Sequence, residues 1–348
     1  MELLSRVRIG MGESLPIRLL RLFMSFAGLT LLLAGFVSNG EALAASNFGE
    51  PTALTAVGND LYVVNTSANV VTEVNSSSGK IIRMFGGSKY EMNSPVAIVA
   101  TMNNVWVANF GNNSVTEWGT GSRNSTVLQG SKYDFSSPQS MIYEDGMLWV
   151  ANLHSSTITT ISIATHKIRI LHIASEGCLS PTALIFSNGT VWASCSESNS
   201  IIGISSTTYK VTSDIQGSDD KLDGPGPILL VGNHLWVANV ASSSLSKFDV
   251  SGRSHVHLLC HFSDGFMTPE SVALSGDFVF VANMLGHDVS LVSSTGCQGV
   301  GVHHIGSGEL QEPTALEVIG DNLFVADAQK QDVIKFSLKT MKMVEIIR

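Results

Sequence analysis

The sequence predicts an all-β, seven-bladed β-propeller of four-stranded antiparallel blades. Three observations predict it. A proline recurs at Pro51, Pro95, Pro138, Pro181, Pro225, Pro269 and Pro313, at spacings of 44, 43, 43, 44, 44 and 44 residues. About ten residues after each comes an apolar–aromatic–small pattern: LYVVN, VWVAN, LWVAN, VWASC, LWVAN, VFVAN and LFVAD. Alternation of period two, rich in β-branched residues, dominates, and no ten-residue segment shows a helical period. A repeat of this length built from four strands makes a propeller blade, because one such sheet buries neither face alone and radial stacking buries both.

Each element of the repeat has a local cause. The first strand follows the proline, as in residues 52–57 and 314–318. A Gly/Asn/Asp turn such as Gly58-Asn59-Asp60 or Gly320-Asp321-Asn322 then supplies hairpin chemistry. The second strand carries the aromatic: Tyr62, Trp106, Trp149, Trp192, Trp236, Phe280 or Phe324, each expected between neighbouring blades. Asn or Asp closes that strand in six of seven copies and is expected to bond the adjacent loop. The third strand alternates, with Val70 and Val74 around Thr72, or Ile334, Phe336 and Leu338 on one face. The fourth is an outer strand, such as residues 81–85 or 343–347. Small residues stand two positions after the proline (Ala53, Ala97, Ser140, Ala183, Pro227, Ser271 and Ala315), where inner strands crowd around the axis. The last repeat contains its own outer strand, so the ring is expected to close by packing blade seven on blade one, helped by residues 45–50.

The leader is different in kind. Arg6, Arg8, Arg18 and Arg21 precede a charge-free apolar stretch at 22–37, and Ala42-Leu43-Ala44 places small residues where a signal peptidase reads. The stretch is 16 residues, short of the ~20 that span a bilayer comfortably. Residues 1–44 therefore read as a secretory signal and 45–348 as one propeller, secreted or periplasmic, with no stable membrane span after cleavage. Charged residues are 14% of the chain, against about 25% in an average domain, and the net charge is −9. That charge gives a nucleic-acid partner no electrostatic basis.

These features resemble the NHL and YVTN repeat propellers. The YVTN-like part is clearest in LYVVN followed by NVVTEVNSSSGKIIRMFG; the NHL-like part is the approach to each proline, GSKYEMNSP, GSKYDFSSP and GSGELQEP. A large apolar residue precedes each proline by two or three positions: Phe48, Met92, Phe135, Leu179, Leu222, Met267 and Leu310. The resemblance spans residues 45–348 and implies fold more than activity. The streptogramin lyases are similar propellers whose catalytic blades carry His beside the repeat proline and Glu after the aromatic motif. Here the residues after the proline are Thr52, Val96, Gln139, Thr182, Gly226, Glu270 and Thr314, and the motif ends in Asn, Cys or Asp, which argues against lyase chemistry. The gluconolactonase-like propellers imply a metal held by Glu, Asn and Asp; Glu270, Asn239, Asn283 and Asp327 are the residues to compare.

Other chemistry is sparse. His255 and His257 alternate along HVHLLCH, and His261 shares their face if the strand continues; solvated outer-strand histidines are the favoured reading over a metal site. His303 and His304 sit near the matching place in blade six. Cys178 precedes the first strand of blade four and Cys195 ends its second, so a disulfide is feasible. Cys260 and Cys297 fall in adjacent blades at opposite ends of their outer strands, which disfavours a second bridge. No cofactor motif stands out. Five Asn-x-Ser/Thr triplets, from Asn65, Asn75, Asn112, Asn124 and Asn188, matter only if the source glycosylates. The expected function is a monomeric binding or interaction scaffold for a protein or small ligand at one rim. Thr52, Gln139, Thr182, Glu270 and Thr314 then mark the channel mouth. The alternative is a propeller hydrolase or lyase using Gln139 and Glu270.

Overall fold

A computed structural model describes residues 47–122, 124–252, 255–297 and 302–348. The secretory signal expected at residues 1–44 lies outside the described residues. Seven four-stranded antiparallel sheets follow one another along the chain, each made of four consecutive strands. Blade one runs through Pro51–Val57, Asp60–Asn65, Val70–Asn75 and Ile81–Phe85, and blade seven through Pro313–Ile319, Asn322–Asp327, Asp332–Ser337 and Lys342–Ile347. Among the described residues no terminal strand is exchanged between blades. Among the described residues the helical pieces are two short 3-10 turns, Ala174–Glu176 and Ser218–Asp220, and no helix is long and apolar enough to cross a membrane.

The core is seven separate layers, one at each interface between blades. Tyr62 and Val64 of blade one pack on Ile98, Val105 and Val107 of blade two. Trp149 packs on Leu184, Val191 and Ile204 of blade four, and Phe324 on Leu61, Val63 and Val74 of blade one. All seven aromatics of the repeat position are buried. The burial patterns show the radial order: second strands are buried along nearly their whole length, whereas inner strands such as Pro269–Ser275 are half-buried after their proline. That pattern fits an inner edge bordering the axis, since inner strands pair on one side only.

Ring closure uses the same face-to-face packing as the other interfaces. Phe48 joins the layer between blades seven and one, and the Asn47 amide donates to the Arg348 carbonyl at 2.9 Å. The Lys335 ammonium crosses the seam to the Ser76 carbonyl at 2.9 Å. Its counterparts elsewhere are Lys247, which reaches the Ser294 carbonyl at 2.9 Å, and Arg83, which reaches Thr120 at 3.4 Å while pairing with buried Glu73.

Two readings of the sequence are corrected. The apolar residue before each proline holds one constant place, three positions upstream: Phe48, Met92, Phe135, Cys178, Leu222, Phe266 and Leu310 are all buried. Leu179 and Met267 are instead exposed. The second correction concerns blade five. Lys247 pairs with Cys260 but the next residue, Phe248, pairs with Leu258, so Leu259 is an extra residue in the outer strand. A bulge of this kind inverts the facing of everything beyond it. His257, opposite Asp249, and His261, opposite Ser246, therefore lie on opposite faces rather than one. Cys260 is turned onto the face that Lys247 presents to blade six, where it bonds Cys297 with a Cα–Cα distance of 5.5 Å.

Candidate functional site

The prolines gather one end of every inner strand at one rim, and local geometry holds them there. The residue before the proline is left-handed at Glu50, Ser94, Ser137, Ser180 and Thr268, with φ between 46° and 55°. Such a conformation costs roughly 1–2 kcal/mol for an L-residue. A hydrogen bond from the preceding blade offsets it: Ser94 and Ser137 N–H donate to Asn69 and Asn113 Oδ1 at 2.7 Å, and Ser180 and Thr268 N–H to Ser156 and Ser243 Oγ at 3.1 Å.

The Asn or Asp closing the second strand clamps the same loop within blades three, five, six and seven, whereas in blades one and two Asn65 and Asn109 bond only the third strand and, for Asn65, its own strand. Asn152 donates to Thr157 and Thr159 and accepts from Ser136 N–H; Asn239 and Asn283 make the equivalent bonds. Asp327 accepts from Gln311, Glu312 and Lys330 N–H at 2.7, 3.0 and 3.0 Å. In blade four the corresponding residue is Cys195, and its disulfide to Cys178, at a Cα–Cα distance of 5.1 Å, ties the loop to the strand covalently. A bridge with a sequence separation of 17 is worth about 3 kcal/mol by the chain-entropy estimate. Cys178→Ser is expected to lose about that much in a urea melt, with blade four affected first. Cys178→Leu with Cys195→Asn, which restores the chemistry of the other blades, is expected to recover part of the loss.

The residues following the proline form a ring at this rim, and its three threonines are occupied. The Thr314 hydroxyl donates to the Pro51 carbonyl at 2.7 Å and the Thr182 hydroxyl to the Pro225 carbonyl at 3.0 Å. Thr52 contacts Thr66 Oγ1 at 2.6 Å, and Thr66 in turn donates to the Pro95 carbonyl at 2.7 Å. These three threonines stitch inner strands together across blade boundaries. Two positions after the proline, Ser140 and Ser271 accept Leu184 and Leu316 N–H from the next blade at 3.1 and 3.0 Å. Gln139 is half-buried on its inner strand.

Glu270 differs. Part of the residue remains open, but its Oε1 is sealed from solvent and has no hydrogen-bond partner. Desolvation pushes its carboxyl up to about 7. Glu317, on the inner strand of blade seven, is also raised to about 7 by burial, opposed by the N–H of Ala56 across the seam.

The histidines are dispersed. The His255 side chain lies outside the described residues. His257 is exposed. His261 Nδ1 lies 3.1 Å from Ser246 Oγ, and partial burial followed by nearby Lys221 lowers its pKa. His304 pairs with Asp288 at 2.9 Å. Among the described residues no three His, Cys, Asp or Glu side chains converge as metal ligands. Asn239, Asn283 and Asp327 are committed to their loops, so the lactonase-like set is not assembled around Glu270. Two grooves of about 420 and 600 Å³ lie along the outer strands of blades two to four, away from the inner strands.

No protein-family model and no curated protein matches the sequence. Solved structures match in fold. An inactive virginiamycin B lyase from Staphylococcus aureus, crystallised with quinupristin, superposes with a TM-score of 0.71 at 15% identity, covering 84% of this chain and 96% of that one. Hydrazine synthase from Kuenenia stuttgartiensis gives 0.70 at 14% identity over 87% and 99%. The WD40 repeats of RRP9 give 0.67 at 13% identity over 82% and 89%. The fold is thus shared by propellers of enzymes and of WD40 repeats alike.

Proposed function

We propose that this chain is an exported NHL/YVTN-type propeller that acts as a binding or protein-interaction scaffold through its proline-end rim. The carrying observation is the state of the ring there: Thr52, Thr182 and Thr314 spend their hydroxyls holding blades together, leaving Glu270 without a second acid or base beside it. General acid–base catalysis needs groups converging on one reacting atom. Two disulfides suit an oxidising compartment outside the cytoplasm, in keeping with the signal-like leader. A raised carboxyl is also what a proton-transferring enzyme carries, which keeps a hydrolase or lyase using Glu270 and Gln139 as the second reading.

The test is cross-linking capture from the exported fraction with the wild-type chain and with Ala241→Arg/Gln329→Arg, two exposed positions on the loops that follow the second strands of blades five and seven, beside Pro225 and Pro313. The expected result is a partner captured by the wild type and lost by the double variant at unchanged melting temperature. Equal capture by both, or turnover of a lactone abolished by Glu270→Gln, would refute this reading. N-terminal sequencing of the exported chain is expected to begin at Ala45; a mature chain beginning at Met1 would mean a retained anchor.

A further inference from the structure

We propose that the proline end of the central channel binds a small organic cation, a protonated amine, on the carboxylate of Glu270. The proposal rests on the binding reading above and names the chemistry of its ligand. No inner strand carries Lys, Arg or His, while Glu144, Glu270 and Glu317 all lie on inner strands. The described inner strands therefore supply acceptors and negative charge without a resident cation.

Glu270 is the acid left unanswered. Glu317 takes the Ala56 N–H, and Glu144 ends its strand at the opposite rim. Oε1 of Glu270 is buried without a donor. The polar groups next to it in sequence are engaged elsewhere: Thr268 N–H on Ser243, and Ser271 Oγ with Leu316 N–H. The matching residue of blade seven, Thr314, spends its hydroxyl on Pro51. An orphaned buried acceptor costs roughly 1–3 kcal/mol, and a donor from outside the chain would relieve it. Gly226, the matching residue in blade five, adds no side chain beside it; a Cβ there would meet Val240 Cγ2 at 2.7 Å.

The acceptor pattern selects an ammonium over a metal ion. Calcium takes roughly six to eight oxygen ligands, and no acidic cluster among the described residues approaches that. An ammonium is a compact cation with three donors, and a single carboxylate suffices to receive it. An anion would face the sealed carboxylate oxygen and is excluded by charge.

The experiment is calorimetric titration of the full chain at about pH 8, where Glu270 is ionised and the amine still protonated, with n-butylammonium, with n-butanol as the uncharged control and calcium as the metal control. Saturable binding of the ammonium alone is expected. Glu270→Gln is expected to weaken it at least roughly tenfold, as loss of a charge-assisted hydrogen bond implies. Glu270→Thr, the residue of blades one, four and seven, should do the same and guards against a folding defect peculiar to glutamine. Glu317→Gln should leave the affinity unchanged. Absence of ammonium binding, equal affinity in the Glu270 variants, or calcium binding that depends on Glu270 would each overturn the proposal. If these fail while partner capture through the rim loops of Ala241 and Gln329 stands, only the cationic ligand is refuted.

Discussion

Replacing Trp149 by alanine is expected to destabilise the protein by about 3–5 kcal/mol, the range for emptying a large aromatic site in a packed core. Trp149 is 1% exposed. It lies in the layer between blades three and four, stacked on Tyr209 with ring centroids 5.6 Å apart and planes inclined by 23°. Arg169 of blade three lies 4.1 Å over the same Tyr209 ring, so the stack joins the two blades from core to outer wall. The cavity would open beside Leu184, Val191, Cys178 and Cys195, whose backbone is fixed by the sheet and by the disulfide. Such a site collapses poorly, which places the cost toward the upper end. A thermal or urea melt reads it directly; a variant within 1 kcal/mol or so of wild type would contradict this placement.

Glu270→Gln is expected to act in the opposite direction, with a gain that grows as pH rises from about 4.5 to about 7. Burial raises the folded-state pKa from 4.5 to about 7. Between those values the folded chain holds a proton that the unfolded chain has released, so stability falls as pH rises through that window. Above it the ionised, unpartnered carboxylate costs on the order of 3 kcal/mol, from about 1.4 kcal/mol per unit. Glutamine keeps the shape and cannot ionise. The variant should therefore gain up to about that amount near pH 8 and little or nothing below about pH 4.5. Glu317, raised for the same reason, leaves a residual slope in the variant. An equal offset at both ends of the window would show that the carboxyl is not desolvated. Together with the titration proposed above, this sets stability against binding: a purely structural carboxyl would show the gain with no loss of ammonium affinity.

Much of this molecule is written in local pattern. Seven prolines at a near-constant spacing, seven aromatic motifs and period-two alternation determine the blade count, the strand order and the face each aromatic buries. Those features survive into the structure because strand pairing within a blade joins residues close in sequence, and turn chemistry sets each register. The pairing of Cys178 with Cys195 is legible for the same reason, lying within one hairpin and its approach. A constant offset of three residues before each proline was also there to be read; it picks Phe266 over Met267 and Cys178 over Leu179.

What only the tertiary structure decided lies between blades. Thr314 meets Pro51 across 263 residues and Lys335 meets Ser76 across 259, contacts that no local period encodes. One extra residue at Leu259 separates His257 from His261 and turns Cys260 toward Cys297, because a single-residue slip inverts facing in a strand. The ring after the prolines looked from sequence like an open polar mouth. Neighbouring blades claim its threonines as fasteners, and one oxygen of Glu270 is buried without a partner. Whether a polar side chain is free to bind depends on what the next blade places against it, and that is settled only when the ring closes.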